Sequence, residues 1–81
     1  MNREVTVGST WLHFKGTHIA VIIALATHTE TGEKLVVYDC FDDTTKTSQG
    51  IFARPLSMFL SEVDRVKYPD IKQKYRFERV N

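Results

Sequence analysis

Cysteine is nearly absent. Cys40 stands alone among 81 residues, so no internal disulfide can form and no thiolate pair exists to hold a structural zinc. A domain of this length buries only about three fifths of the surface its unfolded chain exposes. Self-association is then the remaining common route to more buried apolar surface, and a homo-oligomer is expected. Long apolar runs are lacking too. The longest uncharged stretch, Gly16 to Thr29, is too short for a bilayer core of roughly 30 Å, so no membrane segment is expected. Met1 to Val7 carries Arg3 and Glu4 and no apolar run before a small-residue cleavage site, which makes the cytoplasm the expected location. An excess of charge of one sign is also missing. The net charge is +1, whereas phosphate-backbone binding usually draws on a strongly basic domain, so nucleic acid is the weaker candidate partner.

What is present suits a single small globular domain spanning residues 1–81, with 42% hydrophobic and 26% charged residues. The charge is unevenly spread. Glu30, Glu33, Asp39, Asp42 and Asp43 make the middle acidic, and Arg65, Lys67, Lys72, Lys74, Arg76 and Arg79 make the end basic. Two solvated faces that attract one another within the fold or between copies are the plain reading of that split.

From His18 to Thr27, Ile19, Val21, Ile23 and Leu25 alternate with the smaller Ala20, Ala24 and Ala26, interrupted by Ile22. Period two predicts a strand with the odd residues toward the core and Ile22 on the face turned away from it, suited to contact with a second copy. A second strand is expected over Lys34–Phe41, joined to the first by a hairpin across Thr29 to Glu33 with Gly32 at positive φ. Trp11 to Phe14 reads as a short strand ending at Lys15 and Gly16. Asp42 to Gly50 reads as a polar loop, and Ile51 to Arg54 as a short strand closed by Pro55. Leu56, Phe59, Leu60 and Val63 fall on one helix face, and Tyr75 to Val80 reads as the last strand. Ile19, Val21, Ile23, Leu35, Val37, Phe59 and Phe77 are expected to be buried together. About five strands with one short helix before the last imply a mainly β fold. It is either a small curved antiparallel sheet, open with the helix on one face, or an SH3-like barrel.

Few residues suggest chemistry. His13 and His28 flank the long strand, and each could serve as a ligand or simply as a polar strand-end residue. Thr29, Glu30 and Thr31 add polar groups to the His28 loop. No close-spaced ligand pair supports a metal site. Cys40 has no adjacent base and reads as a small buried hydrophobe. Arg54 is the most suggestive, since a guanidinium beside the amides of a proline-started helix would complete an anion site. An ion pair with Glu30, Glu33 or Asp39 is its structural alternative. Trp11 and Tyr38 could stack a ring, yet aromatic residues in so small a domain are first of all core.

Several blocks fall in a familiar order: His13, Phe14, Lys15 and Gly16; Ala26, His28, Thr29, Glu30 and Thr31; Val36, Val37 and Tyr38; Arg54, Pro55, Leu56, Met58 and Phe59; Arg76 and Phe77. Over roughly Gly8 to Val80 the chain resembles the domain-of-unknown-function family 1653, small bacterial and phage proteins with His-Phe-Lys-Gly, His-Ser-Glu-Thr, Val-Val-Tyr and Arg-Pro-Leu-x-Met-Phe blocks. The resemblance implies a compact β-rich domain without established activity, in a bacterial cell or a phage-infected host. It also picks out Lys15, His28, Glu30, Tyr38 and Arg54 as polar members of the family pattern. The chain departs from the pattern at Cys40 to Asp43, where the family has a Leu-Tyr-Gly stretch, and in the basic segment before Tyr75.

These readings lead to a non-enzymatic binding domain for a small anionic ligand, with a nucleotide as one candidate and metabolite sensing or sequestration as the role. Its candidate ligand-binding residues are Arg54, His28, Glu30, Thr29, Thr31, Lys15, Tyr38 and His13. No cofactor, metal or catalytic residue is expected. The alternative is an SH3-like interaction module for protein or nucleic acid.

Overall fold

The computed structural model describes residues 3–80. Its elements are β1 (Thr10–His13), β2 (His18–Thr27), β3 (Lys34–Asp42), β4 (Thr47–Pro55), α1 (Leu56–Phe59) and β5 (Phe77–Arg79). The strands form one antiparallel sheet in the order β4-β3-β2-β1-β5. β4 and β5 lie at opposite edges, so the sheet is open and, of the two expected architectures, the barrel is not formed.

The β2–β3 hairpin forms where alternation and glycine place it. Gly32 has φ +75°, His28 N–H donates to the Glu33 carbonyl at 2.8 Å, and Gly32 N–H donates to the His28 carbonyl at 2.9 Å. β4 begins at Thr47, four residues earlier than expected, and the polar loop shrinks to residues 43–46. Thr47, Ser48 and Gln49 carry no apolar alternation because β4 is an edge strand whose side chains there meet solvent. Two β4 residues, Gln49 and Gly50, stand opposite the single Cys40. This bulge takes Gly50 to φ +118°, a conformation that L side chains resist.

The expected core face of β2 is inverted. Ala20 and Ile22 are buried, with Ile22 only 2% exposed, whereas Ile23 is 44% and Leu25 54% exposed. Ile19 and Val21, like Leu35 and Val37, are half-buried rather than in the core. Two physical causes account for this. Trp11 lies directly across from Ala20, so a small residue is needed where the bulky indole fills the space. The register also slips between Ile22 and Ala24, leaving Ile23 as an extra residue, and a bulge ends the period-two pattern on which the sequence reading relied. An Ile22-mediated contact between copies is therefore not available.

Over the core face lies α1, a single turn rather than a helix reaching Val63. It packs on β3 and β4 and presents the fully buried Phe59. Phe59 stacks on Phe77 with ring centroids 4.2 Å apart and meets Trp11 edge-on at 5.3 Å. Beyond α1 the chain turns at residues 65–67 and again at 69–70 and comes back alongside itself. Val63 N–H donates to the Lys74 carbonyl and Arg76 N–H to the Ser61 carbonyl, each at 2.9 Å, which buries Val63 and fixes Arg76 beside the sheet. Trp11 Nε1–H donates to the buried Ser9 Oγ at 2.9 Å, satisfying the one polar atom of the indole.

Candidate functional site

α1 covers only part of the core face. Where β1, β2, β3 and β4 continue beyond it, the face opens into a hollow of about 380 Å³ lined by His13, His18, Ile19, Ala20, Tyr38, Cys40, Gln49, Phe52, Arg54 and Phe77. Strand register assembles it. His13 lies opposite Phe77, Tyr38 opposite Phe52, and Val36 opposite Arg54, and residues two apart on a strand share a face. A second cleft of about 270 Å³ is lined by His13, Phe14, Lys15, Arg54, Asp64, Lys67, Tyr68 and Arg76. His13 and Arg54 line both, so the two spaces adjoin at this pair.

The cation side is incompletely paired. The Arg54 guanidinium sits 5.4 Å from the Phe77 ring centre, and among the described residues no carboxylate reaches ion-pairing distance of it. Asp39, one expected partner, accepts instead from Ser48 Oγ at 2.6 Å. Lys15 Nζ lies 5.6 Å from the Tyr68 ring, and Tyr68 packs edge-on against Phe14. Arg76 Nε is buried without a hydrogen-bond partner among the described residues. Asp64, the cleft's one carboxylate among those residues, accepts from the Val66 and Lys67 amides through Oδ1. Among the described residues of the one chain, no carboxylate of the acidic middle forms an ion pair with the basic end, and Lys46 pairs with Asp43 inside the β3–β4 turn. Arg65, another basic-end residue, donates to the Ile71 and Gln73 carbonyls.

Burial, modified by the surrounding charge, sets the protonation of the site. Burial, and then the charges of Arg54, Lys15, His18 and Arg76, lower the pKa of His13 from 6.5 to about 4. The Lys15 amide donates to His13 Nδ1 at 3.3 Å, which leaves the neutral ring's proton on Nε2. Burial raises the pKa of the Tyr38 phenol, against the opposing Arg54 charge. Burial, with Asp39 next, raises that of the Cys40 thiol. All three groups are held toward their neutral forms beside fixed cations.

Of the residues expected from sequence, His13, Tyr38 and Arg54 meet in the larger hollow, and Lys15 joins His13 and Arg54 in the smaller. His28, Thr29, Glu30 and Thr31 line neither. His28 Nδ1 accepts from the Glu30 and Thr31 amides at 3.1 and 3.3 Å, which closes the hairpin turn. Neither Leu56 nor Ser57, at the start of α1, lines either of these two clefts. His18, Phe52, Lys67 and Arg76 are additions. Phe52 was within reach of sequence reasoning, since it alternates with Arg54 on one strand, while Arg76 needed the pairing of residues 61–63 with 74–76. Among the described residues no three His, Cys, Asp or Glu side chains group as metal ligands, and no helix is long and apolar enough to cross a membrane.

Fold and site together define a small open-sheet domain with a half-covered face bordered by cations. The chain belongs to the family described as protein of unknown function (DUF1653), whose match runs over residues 9–79. Searches of the curated proteins and of the solved structures find no match.

Proposed function

We propose that this domain is a non-enzymatic binding protein for a small anionic ligand. The observation that carries the reading is Arg54, which lines both clefts and has no ion-pairing carboxylate among the described residues. A charge-assisted hydrogen bond to an anion is the interaction such a guanidinium is equipped to make. The neutral bias of His13, Tyr38 and Cys40 supports binding over proton transfer, because a general acid or base works best when its pKa lies near the working pH. The basic C-terminal segment favours a small ligand over a nucleic-acid backbone: Arg65 is engaged with backbone carbonyls, while Lys67 and Arg76 line a cleft.

Isothermal titration of the purified protein against phosphate-bearing and carboxylate-bearing metabolites tests this. Hydrogen bonds to charged groups contribute about 1.5–3 kcal/mol, so Arg54→Ala should weaken the best ligand by at least about tenfold. Absence of any anion binding at millimolar concentration, or an Arg54→Ala protein that binds as tightly as wild type, would end the proposal.

A further inference from the structure

The two adjoining spaces differ in chemistry. The larger is floored by Ala20 and walled by the rings of Tyr38, Phe52 and Phe77, with Phe52 45% exposed and tilted 36° from Tyr38. An exposed aromatic face inside a concavity offers a flat ring something to stack on. Its volume of about 380 Å³ falls in the range of small-molecule sites, roughly 300–1,000 Å³. The smaller gathers Lys15, Arg54, Lys67 and Arg76 against Asp64 alone. That is four formal positive charges against one negative, an excess of three. A singly charged carboxylate would answer little of this excess, whereas a phosphate monoester carries about −1.5 to −2 at pH 7 and presents three acceptor oxygens. Arg76, whose Nε is buried without a hydrogen-bond partner among the described residues, lines this cleft as well.

Resting on the anion-binding reading above, we infer that the ligand is a phosphate monoester carried on a planar ring, of the nucleoside 5′-monophosphate class. Its phosphate lies among Lys15, Lys67 and Arg76, its ring lies against Phe52, and Arg54 and His13 bridge the two parts. The same chemistry occurs in a free mononucleotide and at the 5′-phosphate end of an oligonucleotide.

Titration calorimetry on the whole chain separates the possibilities, with folding of each variant checked by its thermal unfolding midpoint. The probes are nucleoside 5′-monophosphates, the matching nucleosides, inorganic phosphate, citrate, and a short oligonucleotide with and without its 5′-phosphate. The mononucleotide should bind at least about tenfold more tightly than either its nucleoside or inorganic phosphate, because it alone fills both spaces. Lys67→Ala, at an exposed position, should erode the advantage over the nucleoside. Phe52→Ala should erode the advantage over inorganic phosphate while leaving phosphate affinity in place. A mononucleotide tighter than the phosphorylated oligonucleotide identifies the free ligand, and the reverse order identifies a chain end. Equal affinity for the 5′-hydroxyl and 5′-phosphate oligonucleotides, or a nucleoside as tight as its monophosphate, overturns the inference. Arg54-dependent binding of citrate with no preference for phosphate esters would sink this inference alone, and failure to bind any anion would sink it together with the reading on which it rests.

Discussion

His13 shows how burial and neighbouring charge act together on one residue. Its imidazole packs against Phe14 and Phe77 with centroids 4.4 and 5.0 Å away, and the cations around it come from three different stretches of chain. With a folded pKa near 4 against an ordinary value near 6.5, the unfolded chain binds the extra proton between those two pH values. His13 therefore leaves the fold fully stable above pH 6.5 and costs it stability progressively as pH falls toward 4. Urea midpoints measured from pH 7 to pH 4.5 should fall more steeply for wild type than for His13→Asn, whose side chain does not titrate. Parallel profiles would show that the ring is solvated as in a peptide. Ile22 gives the complementary case. Buried at 2% exposure, it would place an ionised carboxylate in the core as Ile22→Glu, and loss of the folded circular-dichroism signal is expected.

At the scale of the element, α1 is the least self-sufficient part. Four residues cannot sustain a helix by propensity, and no side chain caps its start at Pro55. It exists because Phe59 inserts among Trp11, Tyr38 and Phe77. Phe59→Ala should cost about 3–5 kcal/mol in urea denaturation, a large share of the 5–15 kcal/mol that holds a typical domain. A loss below about 1 kcal/mol would show that the aromatic cluster closes without it. Elements were legible in the sequence wherever local chemistry decides them: the alternation of β2, the glycine of its hairpin, and the apolar spacing that docks Leu56, Phe59 and Leu60. The side of β2 that faces inward was not legible, because it depends on Trp11 lying across from Ala20 and on the bulge at Ile23, both consequences of pairing. The site divides in the same way. Arg54, Tyr38, His13 and Lys15 could be singled out as residues, but that Arg54 and His13 from separate strands adjoin Arg76 follows only from the strand order and from the pairing of residues 74–76 with 61–63. That His28 lies outside both clefts was not legible either, because a turn histidine that accepts from backbone amides has the same local composition as one that lines a cleft.

Across the whole molecule, Arg3 ties regions that are distant in sequence. Its guanidinium donates to the Phe77 carbonyl at 3.0 Å and the Leu60 carbonyl at 2.7 Å, and it lies 3.6 Å from the Tyr75 ring centre. One side chain thus joins the N-terminal segment, the exit of α1 and the start of β5. β5 is only three residues long and occupies a sheet edge, so its own ladder holds it weakly. The residues it anchors, Arg76 and Phe77, line the two clefts. Removing the guanidinium strips two charge-assisted hydrogen bonds and the cation–π contacts with Tyr75 and Trp11, and Arg3→Ala should lower stability by about 2–3 kcal/mol. Arg3→Lys should recover little of this, because an ammonium lacks the planar fork that reaches two carbonyls while lying flat on a ring. The loss should also be local before it is global. Hydrogen exchange of the Phe14, Arg76 and Val80 amides, which donate to the Arg76, Ser61 and Thr10 carbonyls, should quicken in Arg3→Ala far more than exchange in the β2–β3 ladder. Uniform quickening across the sheet would mean that β5 and the central strands open as one unit, and an unchanged rate at all three amides would mean that the edge holds without its N-terminal clasp.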